Sequence, residues 1–557
     1  MSSQPPFTSN APLTSGSPPG PGAASVPPAA PAAETVTVTI DGIARQFPKG
    51  TNLLEACNQV GCDVPYFCYH PGLSSPAVCR QCLVDVKGQP KPVPSCYTPV
   101  ADRMEVTTNS PKVLDIRRQM LEFTLVNHPI DCPICDKAGE CSLQKHYFDW
   151  DAKYARNDGI KVHKAKVVDI GKHIVLDQER CILCTRCIRV CDEVAKQPEL
   201  TMALRGDHEV LTTPPGKRLD NPYSLNTVDV CPVGALTSKD FRFSMRVWEL
   251  QTTPSVCTGC ATGCNIEVHS SRNEVHRLVP RFNEVVNKHW MCDEGRFTYK
   301  TLPEARQAIP LVLGEAATWD RALDVAATRL KTEIDKNAGG VAIVFSAQST
   351  NEDLHVLAHL RDTLKIGKAY LAGKPEGWSD DILVSADKNP NTAGARAIGG
   401  ASLRSLEDLA RDLKAGTIAA LLIVNDEGGF VTAAHKAGVT LDLSKVGTVV
   451  SLLSHQGPLA DSSHVVLPLA MWAEVDGTIT NRKGLVQRIR AANEARGDSL
   501  PGWEILAELG GRLAVPIEHD SAKKVFLEAQ QKHAFMKDAV WGRPILPVQL
   551  RFANTRG

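Results

Sequence analysis

Eighteen cysteines lie between Cys57 and Cys292, and none follows in the remainder of the 557-residue chain. A scattered structural set would not stop so sharply. Without a secretory signal these thiols sit in a reducing compartment, where clustered cysteines mean metal sites more often than disulfides. Their spacing groups them. Cys68, Cys79, Cys82 and Cys96 form a first set, with ten residues in the first gap rather than the four of plant-type ferredoxins. Four thiolates around two irons fit this count; a four-cysteine zinc site has similar spacing and is the competing reading.

Cys132, Cys135 and Cys141 follow, one ligand short of a cubane. His128 stands four residues before the first and can complete it through an imidazole nitrogen, with His146 and His163 as weaker competitors. Neutral imidazole in place of thiolate would make such a cluster less negative and raise its potential. The run Cys181, Cys184, Cys187, Cys191 resembles a bacterial ferredoxin, with Asp192 where proline usually follows. A later Cys231-Pro-Val-Gly-Ala matches the tail of a second ferredoxin repeat. The fourth cysteine of each such run ligates the other cluster. By that rule Cys181, Cys184, Cys187 and Cys231 share one [4Fe–4S], and Cys191 is left unligated. Cys257, Cys260, Cys264 and Cys292 make a last set, with glycines that let backbone pass close to metal; zinc again is the alternative. Cys57 and Cys62 are left over. Arg186 and Arg189, interleaved with the Cys181 run, either raise that cluster's potential or are solvated and paired with Asp192 and Glu193.

These ligands need elements to hold them. Residues 35–40 alternate, with Val36, Val38 and Ile40 on one face, which reads as a half-buried strand. Asp41-Gly42 supplies a hairpin turn. Asn52 with Glu55 caps a short helix through Val60, where Cys57 packs as a small hydrophobe. Strand, hairpin and helix before a cysteine loop is how a small ferredoxin begins. A helix is expected over 112–126, with Val113, Ile116, Met120, Phe123 and Leu125 apolar. After residue 300, strand-like runs at 341–345, 419–424 and 448–453 alternate with helices, including one from Asn351; this suggests a doubly wound α/β sheet.

Basic and acidic residues balance at 62 each, which argues against a dominant nucleic-acid or anionic-membrane role. No apolar run is long enough to span a bilayer. The first 34 residues, rich in Pro, Ala, Ser and Gly, read as a disordered arm without the layout of a signal or transit peptide. Gly399-Gly400 and Gly428-Gly429 lack the strand–GxGxxG–helix context of a dinucleotide site.

In this order, these motifs resemble the large iron–sulfur subunit of bacterial NADH–quinone oxidoreductase, respiratory complex I, strongly over about residues 35 to 300 and weakly beyond. The resemblance implies a β-grasp [2Fe–2S] ferredoxin domain (35–111), a His-ligated [4Fe–4S] segment (112–150), a [4Fe–4S] ferredoxin-like domain (151–249) and a further [4Fe–4S] domain (250–305). It implies one [2Fe–2S] and three [4Fe–4S] clusters, and a peripheral subunit on the cytoplasmic face of the bacterial inner membrane. Electrons would arrive from a flavin and NADH-binding partner and enter at the Cys68 set. They would continue through the Cys181/Cys231 and His128 cubanes to a two-cubane ferredoxin-like partner and on to quinone. The Cys257/Cys292 cubane lies off this route, and its presence points to a bacterium.

Residues 306–557 resemble a shortened molybdopterin-enzyme domain. Ser462-Ser463-His464 and the stretch from Trp472 through Glu474 and Gly477 to Asn481 look like that superfamily's late signature. No cysteine remains there to hold molybdenum, so no molybdenum is expected; without a dinucleotide fingerprint, neither FMN nor NAD is expected on this chain. The competing functions are a formate dehydrogenase catalytic subunit, the diaphorase subunit of an NAD-linked hydrogenase, and a zinc-stabilised scaffold.

Overall fold

A computed structural model describes residues 34–150, 156–424 and 438–542. The arm expected over 1–34, apart from Glu34, and Gly428-Gly429 lie outside them. Thr35–Ile40 and Ile43–Pro48 pair antiparallel through a two-residue turn. Asp41 and Gly42 both take positive φ, 48° and 84°, as the twist of a tight hairpin requires. Thr35–Ile40 also pairs in parallel with Met104–Thr107, and Leu83–Val86 and Val93–Pro94 complete a five-stranded sheet. Val36, Val38 and Ile40 point from it onto the helix Leu53–Gln59, whose Leu53, Leu54, Ala56 and Cys57 are buried against them. Asn52 caps that helix by accepting from Leu54 N at 3.0 Å. Glu55 does not return to the cap; it accepts from Tyr69 Oη at 2.7 Å.

The helix expected over 112–126 is Pro111–Leu125, but it buries a different face. Its inward stripe is Val113, Arg117 and Leu121, spaced four apart, while Phe123 is exposed. Arg117 displaces the apolar candidates because its head finds partners under the ferredoxin sheet. Nη2 donates to Leu83 O at 2.9 Å, and the guanidinium lies 5.1 Å from the Trp150 ring centroid. Its methylene stem supplies the apolar contact.

Two three-stranded sheets carry the middle of the chain. Leu236–Ser238, Ile174–Leu176 and Val168–Asp169 form one; Gln251–Val256, Asn265–Ser271 and Glu274–Pro280 form the other. The turn between Val256 and Asn265 holds Cys257, Cys260 and Cys264. Beyond residue 310 the chain builds an eight-stranded sheet. Six strands are parallel, in the order Val465–Pro468, Thr448–Leu453, Ala420–Val424, Val341–Ser346, Lys368–Ala372, Leu403–Arg404; an antiparallel hairpin at 311–316 closes one edge. Val341, Ile343 and Phe345 enter one core while Ala342 and Val344 enter the other. Burial on both faces is why these strands read as continuous apolar runs, and the architecture is the doubly wound α/β one expected. Gly399-Gly400 ends the helix Thr392–Gly399, with Gly400 at φ 79°.

The two halves share a seam. Ala261 N donates to Asp387 O at 2.9 Å, Gln487 Nε2 to Gly263 O at 2.8 Å, and Tyr223 Oη to Asp380 at 2.6 Å. Among the described residues no helix is long and apolar enough to cross a membrane.

Candidate iron–sulfur sites

The Cys68 set closes on itself. Cys68, Cys82 and Cys96 are buried and Cys79 half-buried. Hydrogen bonds from Cys79 and Cys96 hold the Cys68 thiol low, and one from Cys96 lowers Cys82; the same contacts push Cys79 and Cys96 up. The loop is bent round them by left-handed backbone at Ala77 (φ 52°) and Arg80 (φ 55°), on either side of Cys79. Leu183 (55°) and Thr185 (62°) do the same beside Cys184. Non-glycine residues held there carry strain of about 1–3 kcal/mol each and cluster at functional sites.

Cys181, Cys184, Cys187 and Cys231 line one small hollow with Ile182, Met202 and Leu211. Burial pushes Cys184 up to about 11 and Cys181 up to about 12, with Cys187 raised as well. A thiol so placed becomes a thiolate only with a cation beside it. Cys191 is buried outside that hollow, beside Glu199 and Asn221. Cys257, Cys260, Cys264 and Cys292 line a second hollow, closed from the C-terminal half by Leu383, Val384 and Lys388. Gly259 N points at Cys257 Sγ at 3.4 Å and Gly295 N at Cys292 Sγ at 3.3 Å. A Cβ on Gly295 would come within 3.1 Å of Cys257 Sγ. As placed, no three described His, Cys, Asp or Glu groups converge on a single ion.

Cys132, Cys135 and Cys141 form a looser group, with Cys135 buried and the others half-buried. His128 shares Asp131 and Arg180 with Cys135 as charged neighbours. Its Nδ1 is buried and makes no hydrogen bond. Burial pulls the imidazole down to about 4, so it is neutral at pH 7, the form that ligates metal. Of the competitors, His163 Nδ1 lies 2.8 Å from Glu179; His146 Nε2 lies 3.3 Å from Tyr66 O with its ring against Phe67, while its Nδ1, like that of His128, is buried without a hydrogen bond.

The contacts between sets were not legible in the spacing. Arg186 and Arg189 are buried and are neither solvated nor paired with Asp192 or Glu193. Arg189 Nη2 donates to Cys68 O at 2.5 Å and to Cys184 O at 3.4 Å; Arg186 donates to Tyr69 O and, at 3.0 Å, to Val230 O. Both therefore tie the Cys68 loop to the Cys181/Cys231 site. On the other side, a Cβ on Gly234 would stand 2.3 Å from Cys135 Sγ. The glycine of Cys231-Pro-Val-Gly-Ala is thus where the Cys231 loop meets the Cys132 set.

The late-signature residues serve packing. Glu474 makes a buried bidentate pair with Arg306 at 2.6 and 2.8 Å, and Asn481 Nδ2 donates to Thr262 O at 3.2 Å across the seam. Around Glu352 most buried polar groups bond to one another, while Gln348 Oε1, Ser349 Oγ and Thr392 Oγ1 are buried without a partner. Thr478 donates to both oxygens of Glu352, at 2.7 and 2.8 Å. Asn351 Nδ2 donates to Thr478 and Thr480 at 3.0 Å each, and Asn391 Nδ2 to Ser349 O at 2.8 Å. Gly477 packs so tightly that its Cβ would meet Thr350 Cγ2 at 2.9 Å.

Fold and thiol sets together define an iron–sulfur protein: a [2Fe–2S] ferredoxin domain, then [4Fe–4S] domains, then a molybdopterin-oxidoreductase domain. Residues 33–111 match the 2Fe-2S iron-sulfur cluster binding domain, 117–154 the NADH-ubiquinone oxidoreductase-G iron-sulfur binding region, and 171–237 the ferredoxin-like domain of NADH-quinone oxidoreductase subunit 3. Residues 250–300 match the NDSU1/NuoG-like 4Fe-4S domain and 377–512 molybdopterin oxidoreductase. The chain's homologues are iron–sulfur subunits of NADH–quinone and NADH–ubiquinone oxidoreductases. It is 40% identical over 370 residues to the NADH-ubiquinone oxidoreductase 75 kDa subunit of Reclinomonas americana, covering 64% of this chain and 53% of that one. It is 41% identical over 301 residues to the mitochondrial NADH dehydrogenase [ubiquinone] iron-sulfur protein 1 of Solanum tuberosum, covering 53% and 40%. An NADH-quinone oxidoreductase protein of Streptomyces coelicolor is 38% identical over 344 residues, covering 60% and 40%. The chain thus spans about half the length of these relatives. A chain of an NAD+-reducing [NiFe]-hydrogenase is a distant likeness, with TM-score 0.35 and 28% identity over 38% of this chain and 91% of that one.

Proposed function

We propose that this chain is a peripheral-arm electron-relay subunit of an NADH–quinone oxidoreductase, passing single electrons from a flavin subunit toward quinone. The carrying observation is continuity. Arg186 and Arg189 tie the Cys68 loop to the Cys181/Cys231 site, and Gly234 seats that site against Cys135.

On this reading Cys68, Cys79, Cys82 and Cys96 hold a [2Fe–2S] cluster. His128, Cys132, Cys135 and Cys141 hold one [4Fe–4S], Cys181, Cys184, Cys187 and Cys231 a second, and Cys257, Cys260, Cys264 and Cys292 a third. Iron–sulfur clusters supply one-electron redox chemistry. The protein's part is to present thiolates, exclude water and aim dipoles at sulfur. Amides at Gly259 and Gly295 do the last, and the buried guanidinium of Arg189 adds positive charge near Cys68 and Cys184; such groups raise potential.

The third site belongs to the seam, where it fastens the two halves. No molybdenum is assigned, because no cysteine follows Cys292 to hold it; residues 306–557 are a structural domain. No FMN or NAD is assigned to this chain. The partners are a flavin and NADH-binding subunit, a ferredoxin-like two-cubane subunit and other peripheral-arm subunits. The membrane, at its cytoplasmic face, is reached only through them.

Anaerobically purified protein should carry about fourteen irons, the sum of one binuclear and three cubane clusters. Zinc in their place would sink the proposal. In an EPR redox titration, His128→Cys should shift one cubane signal to lower potential. If every signal is unchanged, His128 is not a ligand.

A further inference from the structure

A second constellation of metal-ligating groups lies outside the cysteine sets, in the C-terminal half. His355 and His359 are four residues apart on the helix Asn351–Thr363 and so share one face. Glu518 and His519 come from the loop before the helix Ala522–Lys532, and Glu528 from that helix. Together they line an open cavity of about 330 Å3. None of these groups takes part in the electron relay.

Three observations mark this as more than a polar patch. Glu528 bridges two imidazoles: Oε1 is 3.3 Å from His355 Nε2, and Oε2 is 2.7 Å from His519 Nε2. His355 is 1% exposed, yet its Nε2 makes no hydrogen bond; it faces the carboxylate out of line. Its other nitrogen is engaged, with Nδ1 3.0 Å from His533 Nε2. An imidazole whose far nitrogen is held by an outer partner, and whose near nitrogen faces a carboxylate without a hydrogen bond, is arranged like a metal ligand. Burial pulls His355 down to about 4, so its ring is neutral at physiological pH and offers a lone pair.

We propose that His355, His359, His519 and Glu528 form a binding site for a zinc-class divalent cation, with His533 as the outer partner that fixes the His355 tautomer. Histidines four apart on a helix, with a third imidazole and a carboxylate, are a nitrogen and oxygen donor set suited to Zn2+. In the metal-free arrangement the donors have not converged on one point: Glu528 stands between the two rings, 2.7 Å from His519 Nε2 and 3.3 Å from His355 Nε2. A cation entering there replaces those pairings and joins the helix Asn351–Thr363 to the helix Ala522–Lys532.

The test uses the full chain with its clusters intact, confirmed by iron content, because empty cysteine sets would also take zinc. Zn2+ is titrated against a chromophoric chelator, and its first shell is read by zinc-edge X-ray absorption. The expected result is about one equivalent of zinc with a nitrogen and oxygen shell near ~2.0–2.1 Å and no sulfur near ~2.3 Å. That equivalent should be lost in His359→Ala and in His519→Ala. His533→Phe should weaken it by roughly 10–100-fold. No zinc bound to cluster-loaded protein, a sulfur shell, or unchanged zinc in the His359→Ala/His519→Ala double variant would overturn the proposal. His359 and His519 are both partly exposed, so if one variant misfolds the other still decides.

Discussion

Around the Cys257 hollow, four thiols face one another in an apolar pocket, with backbone amides as their main polar company. The cluster around Glu352, across the seam, is as deeply buried but polar, and there Glu352, Asn351, Thr478 and Thr480 meet protein partners. Buried polar groups are ordinarily satisfied. Around Glu352 itself that rule is obeyed by protein groups alone, as in a structural core. The thiol hollow obeys it only when something else enters. The same contrast runs along the chain: cysteine loops are bent by left-handed residues around their thiols, while the parallel sheet has regular strands buried on both faces.

Matched glycine variants should break this contrast most sharply. In Gly234→Ala the new Cβ would stand 2.3 Å from Cys135 Sγ, and that sulfur is the atom the site needs in place. About four irons per chain should be lost. In Gly477→Ala the Cβ would meet Thr350 Cγ2 at 2.9 Å and Glu352 Oε2 at 3.0 Å. That overpacking should cost about 1–3 kcal/mol and leave the iron content unchanged. Iron analysis with a thermal melt on each variant separates them. Full iron in Gly234→Ala would mean that the Cys231 loop does not seat Cys135.

A smaller effect should appear in the pH dependence of the C-terminal half. Burial pushes the Glu352 carboxyl up to about 8, against an ordinary value of 4.5. Between those values the folded state keeps a proton that the unfolded chain has lost. This contribution to stability is therefore complete below pH 4.5 and fades as pH rises through about 8. A difference of this size is worth on the order of 5 kcal/mol. Glu352→Gln removes the charge and keeps the shape: its carbonyl can accept from Thr478 N, and its amide can donate to the Thr478 hydroxyl oxygen. Its melting temperature relative to the parent should be higher at pH 8 than at pH 6. An equal difference at both would mean Glu352 does not titrate in that window.

What could be read from sequence was whatever depends on neighbours in the chain. The thiol sets follow from cysteine spacing. The first hairpin follows from Asp41-Gly42 between alternating residues, and the buried strands from apolar runs such as 420–424. What escaped depends on partners far along the chain. Arg117 is absent from the apolar stripe read for its helix, because its acceptor at Leu83 is 34 residues away. Arg189 interleaves with cysteines in a way that suggests electrostatics, but its acceptor at Cys68 O is 121 residues back. Gly234 is ordinary in a ferredoxin tail until Cys135 is placed against it. Glu474 and Asn481 sit in a stretch that resembles a cofactor signature, and only their partners Arg306 and Thr262 reveal a packing role.

The finest test concerns two cysteines four residues apart. Cys187 lines the hollow with Cys181, Cys184 and Cys231, whereas Cys191, in the π-helical turn Val190–Val194, is buried beside Glu199 and Asn221. Both are buried and both thiols are raised by burial, so exposure and acidity do not distinguish them; direction does. Cys187→Ala should remove about four irons and one EPR signal. Cys191→Ala should remove neither and should cost only the transfer and packing of one sulfur, about 1 kcal/mol, read as a small drop in melting temperature. Iron loss in Cys191→Ala would make it a ligand, and the ferredoxin rule that assigns Cys231 to this site in its place would fail.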